Sequence, residues 1–488
     1  MRTSLWLLLA AAAPAFRAAS VAPWPCAAHD PAGTSFGAVV VGLNTSALAV
    51  AQSFSLYQNY VRYSDAVATA DGLLLISAQS SSSSVLAYNA SGLAWAFALP
   101  SPMSGADPST PAVARNGDIF FTASYASRYS SRPRLYSLAA NGSQQWVTQL
   151  SDADSDASYA SPPTIDDASG ALFLYRLPTN DAFAFSAAGV LLWETPGGGT
   201  PPTSYALFTP SPRVGPSLVY FAGIEGSVRA LDKLTGALAW ARLDIVRASG
   251  DALVVHNGSL FAGGSNASNG AVAVWALDAL TGATQWVFSK AAWPTDGSYS
   301  FSISGLALNA GAGTVVATTQ GTAGLGSVGL QGALGLSLSG SQRWFYAPPA
   351  NFNYWRGLGP PSIDAAGNVF FAYYDGGAVF SLTGAGALLS RSDFSKDTPS
   401  FGNLRIAITA PGRLHVVSFY FGILALAASP SAAAAAPARP LFYYGGLQAA
   451  IVGGATCCAL AAAAALAFKW AAAEPRAAGD KTPLLASV

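Results

Sequence analysis

One phrase recurs along this chain: an apolar run, a polar turn containing Gly, then Trp. The two sharpest copies are Val228-Arg-Ala-Leu-Asp-Lys-Leu-Thr-Gly236-Ala-Leu-Ala-Trp240 and Val274-Trp-Ala-Leu-Asp-Ala-Leu-Thr-Gly282-Ala-Thr-Gln-Trp286. Looser copies end at Trp95, Trp146, Trp193 and Trp344, and a further one, from Val379, carries Ser390 near the expected Trp. The Trp-to-Trp intervals are 51, 47, 47, 46 and 58 residues. A repeat of this length, with one hairpin per copy, implies radial repetition of one unit rather than a series of unrelated domains.

The repeat is larger than the phrase. Upstream of the copies lie Pro-rich junctions followed by two more alternating runs, as in Thr110-Pro-Ala-Val-Ala-Arg-Asn-Gly-Asp-Ile-Phe-Phe-Thr122. Asn-Gly and Asp-Ala-Ala-Gly between such runs are hairpin turns. Each unit therefore holds four strands, A to D from axis to rim. The expected fold is all-β: an eight-bladed β-propeller of four-stranded blades spanning 40–428. Seven units carry the complete pattern. The eighth starts at Asn403 and stops at Leu426 without a rim strand. Aligning Asn44 with Asn89 makes the segment Val40–Ala51 the missing strand, which closes the ring and covers an edge.

The Ala-Leu-Asp-x-x-Thr-Gly-x-x-x-Trp signature resembles the PQQ-type repeat of quinoprotein alcohol dehydrogenases and of the propeller lipoprotein in the bacterial outer-membrane assembly machine. The resemblance covers roughly residues 40 to 427. It implies a propeller in which Trp95, Trp146, Trp193, Trp240, Trp286 and Trp344 dock each blade on its neighbour.

The ends of the chain bear on its location. Residues 1–20 combine Arg2, an apolar run Leu5 to Ala13 and small residues, the pattern of a secretory signal peptide. An N-terminal segment, 21–39, follows. Residues 429–440 form an Ala/Pro stalk, and the uncharged stretch 441–468 exceeds the roughly 20 residues of a membrane-spanning helix. Lys469, Arg476 and Lys481 place the tail, 469–488, in the cytosol. The expectation is a single-pass type I membrane protein of the secretory pathway, endosomal, lysosomal or vacuolar, with the cell surface as the alternative. In the tail, Asp480 followed by Leu484-Leu485 fits an acidic dileucine pattern, which resembles sorting signals read by clathrin adaptors.

Charged residues make up 10% of the chain and the net charge is zero, so nothing suggests a nucleic-acid partner. Cys26 stands apart from Cys457 and Cys458, which lie in the apolar stretch, so no disulfide is expected within the head. By the resemblance, a quinone site would need a vicinal disulfide, a Trp beneath the ring and a Ca²⁺ held by Glu, Asn and Asp. The only vicinal cysteines are Cys457 and Cys458, and Glu occurs only at Glu194, Glu225 and Glu474. No quinone site, cofactor or catalytic residue is therefore expected. His29, His256 and His415 have no metal-ligand spacing. Asp152, Asp154 and Asp156 alternate like calcium ligands but lack the turn Gly and a bidentate Glu.

Two features suggest binding. Asn351-Phe-Asn-Tyr354-Trp355-Arg356 and the preceding inter-blade loop with Trp293 match the composition of binding hot spots. Sequons stand at Asn44, Asn89, Asn141, Asn257 and Asn266. All but Asn266 map to the face shared by A–B and C–D turns, so glycans there would leave the opposite face open. The functional expectation is a non-enzymatic propeller that binds a protein or glycan partner on its lumenal or extracellular side. The alternatives are a degenerate quinoprotein-type oxidoreductase or other lumenal enzyme, and a structural subunit of a membrane complex.

Overall fold

The computed structural model describes residues 48–55, 62–79, 83–125, 132–150, 159–177, 179–197, 211–222, 227–246, 252–291, 293, 300–322, 331–349, 357–373, 378–393, 405–410, 413–418 and 422–428. All are strands and their connections. Residues 1–47 and 429–488, which hold the expected signal peptide, stalk, span and tail, lie outside this set. Among the described residues no helix is long and apolar enough to cross a membrane.

Hydrophobic alternation builds each blade as an antiparallel meander. Blade 4 is the simplest case: Arg213–Val214, Leu218–Ala222, Val228–Asp232 and Leu238–Arg242 pair in that order. Its B and C strands meet through Val219↔Leu231 and Tyr220↔Ala230. The B strands are mostly apolar on both faces because blades cover both. Ile119–Ser124 and Leu172–Leu177 are buried at every position. Rim strands such as Gln144–Gln149 have water on one side and alternate.

The core is divided among the blade interfaces. Leu218, Tyr220 and Val228 of blade 4 pack with Leu253, Leu260 and Trp275 of blade 5. Ala252, Phe261 and Val274 of blade 5 pack with Ile303, Leu306 and Val315 of blade 6. Each interface is therefore its own small core, as in other stacked repeats.

The blade count expected above is corrected. Seven blades, not eight, are built, each from one continuous stretch of chain. The remaining sheet is a composite seam in the order Arg405–Ala410, Arg413–Ser418, Gly422–Ala428, Leu48–Ser55. Its physical cause is the truncated last unit: the rim strand comes from the other end of the chain, with Leu48↔Ala428 through Ser55↔Gly422. The seam's inner strand lies against blade 7 on one side and against Val67–Ala68 of blade 1 on the other.

The expectation of four strands per blade also needs correction. In blades 1, 2, 3 and 5 the A strand is broken in two. In three of them a Ser fills the break. Ser64 Oγ accepts from the Ser77 amide at 2.9 Å, Ser109 Oγ from Thr122 at 3.0 Å and Ser161 Oγ from Tyr175 at 3.0 Å. Pro follows at Pro111 and at Pro162-Pro163, where no amide hydrogen is available to the ladder.

The C and D strands carry a bulge at one fixed place. In blade 4 Leu231 faces Leu238, then Ala230 faces Trp240, with Ala239 left over. The same step precedes Trp95, Trp146, Trp193, Trp286 and Trp344. It turns each Trp toward the following blade.

Candidate functional site

The antiparallel order puts A–B and C–D turns on one face, here called the turn face. The B–C turns and inter-blade connections form the loop face. The two faces differ in chemistry.

The turn face is stitched tightly. Asp232 Oδ1 accepts from the amides of Leu234 (3.0 Å) and Thr235 (2.9 Å) and from the Thr235 hydroxyl (2.9 Å). Asp278 repeats this with Leu280 and Thr281 at 2.8–3.1 Å. Hydrogen bonds from Thr235 and Thr281 hold the two carboxyls below their usual range. Two sequons have the same form. Asn89 Oδ1 accepts from the Ser91 amide and hydroxyl at 2.8 and 2.7 Å, and Asn141 Oδ1 from those of Ser143 at 3.0 and 2.7 Å. Asn-x-Ser therefore acts here as an Asx turn, in the place that Asp-x-x-Thr takes in blades 4 and 5. Asn89, Asn141 and Asn257 are exposed. Asn266 makes the same turn with Ser268 on the loop face and is half-buried. Asn44 lies outside the described residues.

The six indoles lie against the turn glycine of the next blade. A Cβ built on Gly142, Gly189, Gly236, Gly282, Gly340 or Gly386 would stand 2.6–2.8 Å from an atom of Trp95, Trp146, Trp193, Trp240, Trp286 or Trp344 respectively, or of its hydrogen-bonding neighbour. These glycines also have φ between +71° and +87°. Five indole Nε1 groups donate to a carbonyl in the same turn: Trp146 to Ala187, Trp193 to Lys233, Trp240 to Ala279, Trp286 to Leu338 and Trp344 to Gly384, at 2.8–3.1 Å. Trp193 and Trp240 are buried, whereas the other four are half-buried. The sequence shows both Gly and Trp but not that they meet across blades. Nor does it show the B-strand rings behind the indoles, Phe120, Phe173, Tyr220 and Phe261, with centroids 5.8–6.0 Å from Trp146, Trp193, Trp240 and Trp286.

The loop face holds a polar cluster where blades 3 and 4 meet, and sequence reasoning missed it. Arg176, the last but one residue of the B strand of blade 3, pairs with Asp181, which begins the C strand, so the tight turn brings them together. Arg176 bonds Asp181 and reaches Thr179 Oγ1 at 3.3 Å. Asp181 also accepts from Thr179 (2.5 Å) and from the Gly197 amide (2.8 Å). Arg229 of blade 4 donates to the carbonyls of Gly197 (2.8 Å) and Asn180. Burial pushes the Asp181 carboxyl up, but bonds from Thr179, Gly197 and Arg176 outweigh it and hold it below the usual range. Burial lowers Arg229, opposed by Asp181. Among the described residues two guanidiniums face one carboxylate, a net positive set. Among the described residues, Arg176 Nη1 and Asn180 Oδ1 are buried without a hydrogen-bond partner. Asn180 sits at φ 57°, a left-handed conformation that Asn tolerates.

Other sequence candidates fare differently. Trp293 is 2% exposed and packs edge-on against Phe288 in the core between blades 5 and 6. It is thus core, which corrects its assignment to a partner surface. Tyr354, Trp355 and Arg356 lie outside the described residues, as do Asp152, Asp154 and Asp156 and the tail residues Asp480, Leu484 and Leu485. Among the described residues no three His, Cys, Asp or Glu side chains are grouped to hold a metal ion. Among the described residues none is placed to hold a quinone. Glu194 lies on the rim strand of blade 3, facing Phe183. The inner-strand side chains of Thr164, Arg213 and Ser362 bond carbonyls of the next sheet at 2.8–3.1 Å.

A family model described as outer membrane protein assembly factor BamB matches residues 56–261 and 184–418. Among solved structures, BamB from Moraxella catarrhalis is similar with a TM-score of 0.54 at 19% identity, covering 78% of this chain and 99% of that one. The quinohemoprotein alcohol dehydrogenase ADHIIG from Pseudomonas putida HK5 is similar with a TM-score of 0.59 at 11% identity, covering 91% and 85%. The quinohemoprotein alcohol dehydrogenase from Comamonas testosteroni gives 0.57 at 14%, covering 89% and 84%. No curated protein sequence matches the chain.

Proposed function

The chain belongs to the family of the outer membrane protein assembly factor BamB, and on that premise we propose that it is a non-enzymatic, membrane-tethered β-propeller that binds a protein partner through its loop face. The observation that carries this reading is the contrast between the faces. In the turn-face turns at Asn89, Asn141, Asp232 and Asp278 the side-chain oxygen is satisfied locally by Asx bonds. On the loop face a positive cluster keeps a buried guanidinium nitrogen and a buried amide oxygen without a partner among the described residues. Buried polar groups of this kind are costly unless a partner or water meets them. An acidic or amide-bearing segment of a partner has the complementary chemistry.

The tether is read from the sequence: a signal peptide over 1–20, a span over 441–468 and a cytosolic tail with a dileucine sorting signal at Asp480, Leu484 and Leu485. With this topology the propeller lies in the lumen or outside the cell, where the sequons can be used.

The test is steric. A sequon added within 351–356, in the connection between blades 6 and 7, should abolish capture of the partner in a pull-down from solubilised membranes. Asn89→Gln and Asn141→Gln remove glycans from the turn face and should leave capture intact. The opposite pattern would place the site on the turn face and end the proposal. Incubation with PQQ and Ca²⁺ followed by a dye-reduction assay tests the oxidoreductase reading; turnover there would overrule the non-enzymatic one.

A further inference from the structure

We infer that the ring opens at its composite seam before it opens anywhere else. The inference rests on the latches and is independent of the membrane reading.

Six interfaces carry an indole seated on the next blade's turn glycine. The two interfaces that flank the seam do not. In blade 7 the residue after the C–D bulge is Ser390, facing Ser381. Its hydroxyl bonds Ser381 Oγ at 2.8 Å, within its own blade. The next sheet has no C–D hairpin to receive an indole, because its outer strands are Gly422–Ala428 and Leu48–Ser55. In the seam the bulge lies between Val50 and Gln52, so the latch position is Gln52, facing Ala425.

The seam is also held differently along its length. At the inner end Ser362 Oγ of blade 7 donates to the Ile406 carbonyl at 2.9 Å, as Thr164 does to Pro212 between blades 3 and 4. Toward the rim the indole is missing. A ring that loses one interface opens, and in a stack of nearest-neighbour units the weakest interface decides where. Connectivity adds to this. Separating Leu48–Ser55 from Gly422–Ala428 breaks no hairpin, so no short turn holds the strands close for re-pairing.

Hydrogen exchange of the full chain in detergent micelles, read by mass spectrometry, tests the inference. Amides of Leu48–Ser55, Arg405–Ala410, Arg413–Ser418 and Gly422–Ala428 should exchange about tenfold or more faster than the B and C strands of blades 3 to 5. Blade 1 has Ser91 where the other blades have the docking glycine, so Gln52→Trp is made together with Ser91→Gly, which supplies both halves of a latch and should slow the seam about tenfold. Ser390→Trp, with no turn to dock on, should not. Seam amides that exchange as slowly as those of blades 3 to 5 would overturn the inference, as would a folded Gln52→Trp, Ser91→Gly protein with unchanged seam rates. If that variant does not fold, the wild-type exchange map alone decides.

Discussion

At the residue scale the latch is a two-part device, and each part fails differently. Trp240 has Tyr220 behind it, Gly282 before it, and a bond from its Nε1 to the Ala279 carbonyl at 3.0 Å. Tyr220 also donates to that carbonyl, at 3.1 Å. Trp240→Ala removes a buried ring and opens a cavity between blades 4 and 5, at a cost of about 3–5 kcal/mol. Gly282→Ala fails by intrusion: φ is +71° and the new Cβ would stand 2.7 Å from the indole. Left-handed strain alone costs about 1–2 kcal/mol, and displacing the ring adds to it. Both variants should melt below the wild type, Trp240→Ala by more. A Trp240→Ala protein with the wild-type melting temperature would show that the indole does not hold the blades. The two partners were visible separately in the sequence, as a repeated Trp and a repeated turn Gly. Their meeting across blades was not, because the step from one blade to the next is set by the bulge and by inter-blade packing, not by sequence separation.

At the scale of elements, the broken A strands show how a Pro-rich junction stays within a sheet. In blade 3, Tyr159–Ala160 and Thr164–Ile165 flank Ser161-Pro162-Pro163. Ser161 Oγ takes the Tyr175 amide that the backbone cannot serve, and the residue is fully buried. Ser161→Ala leaves that amide unpaired and should cost about 1–3 kcal/mol by chemical denaturation. Loss of less than a few tenths of that would mean that another acceptor moves in. Repeated hairpins and alternating runs made the strands B, C and D legible, since each is long and strongly patterned. The expectation of uniform four-stranded blades failed because a two-residue strand beside Pro leaves no periodicity to read. The count of eight failed for a related reason: the last unit lacks its rim strand, and the chain completes it with a composite sheet rather than a blade. The polar cluster at Arg176, Asp181 and Arg229 was also illegible. Its members are 53 residues apart at the extremes and converge only when blades 3 and 4 pack.

For the whole molecule, the two faces divide the labour. The turn face carries the latches, the Asx turns and the ion pair between Lys233 and Asp166 at 3.1 Å, which joins blades 4 and 3. The loop face carries the buried Arg176 Nη1 and Asn180 Oδ1, which have no partner among the described residues; on the turn face the buried Trp95 Nε1 is likewise without one. Partner binding on the loop face is the central claim, and photo-crosslinking in intact cells tests it most directly. A photoreactive residue replaces Ser268, exposed on the loop face of blade 5, or Leu234, 84% exposed on the turn face of blade 4. The account predicts a discrete protein adduct from position 268 and none from position 234. An adduct from 234 alone would contradict it.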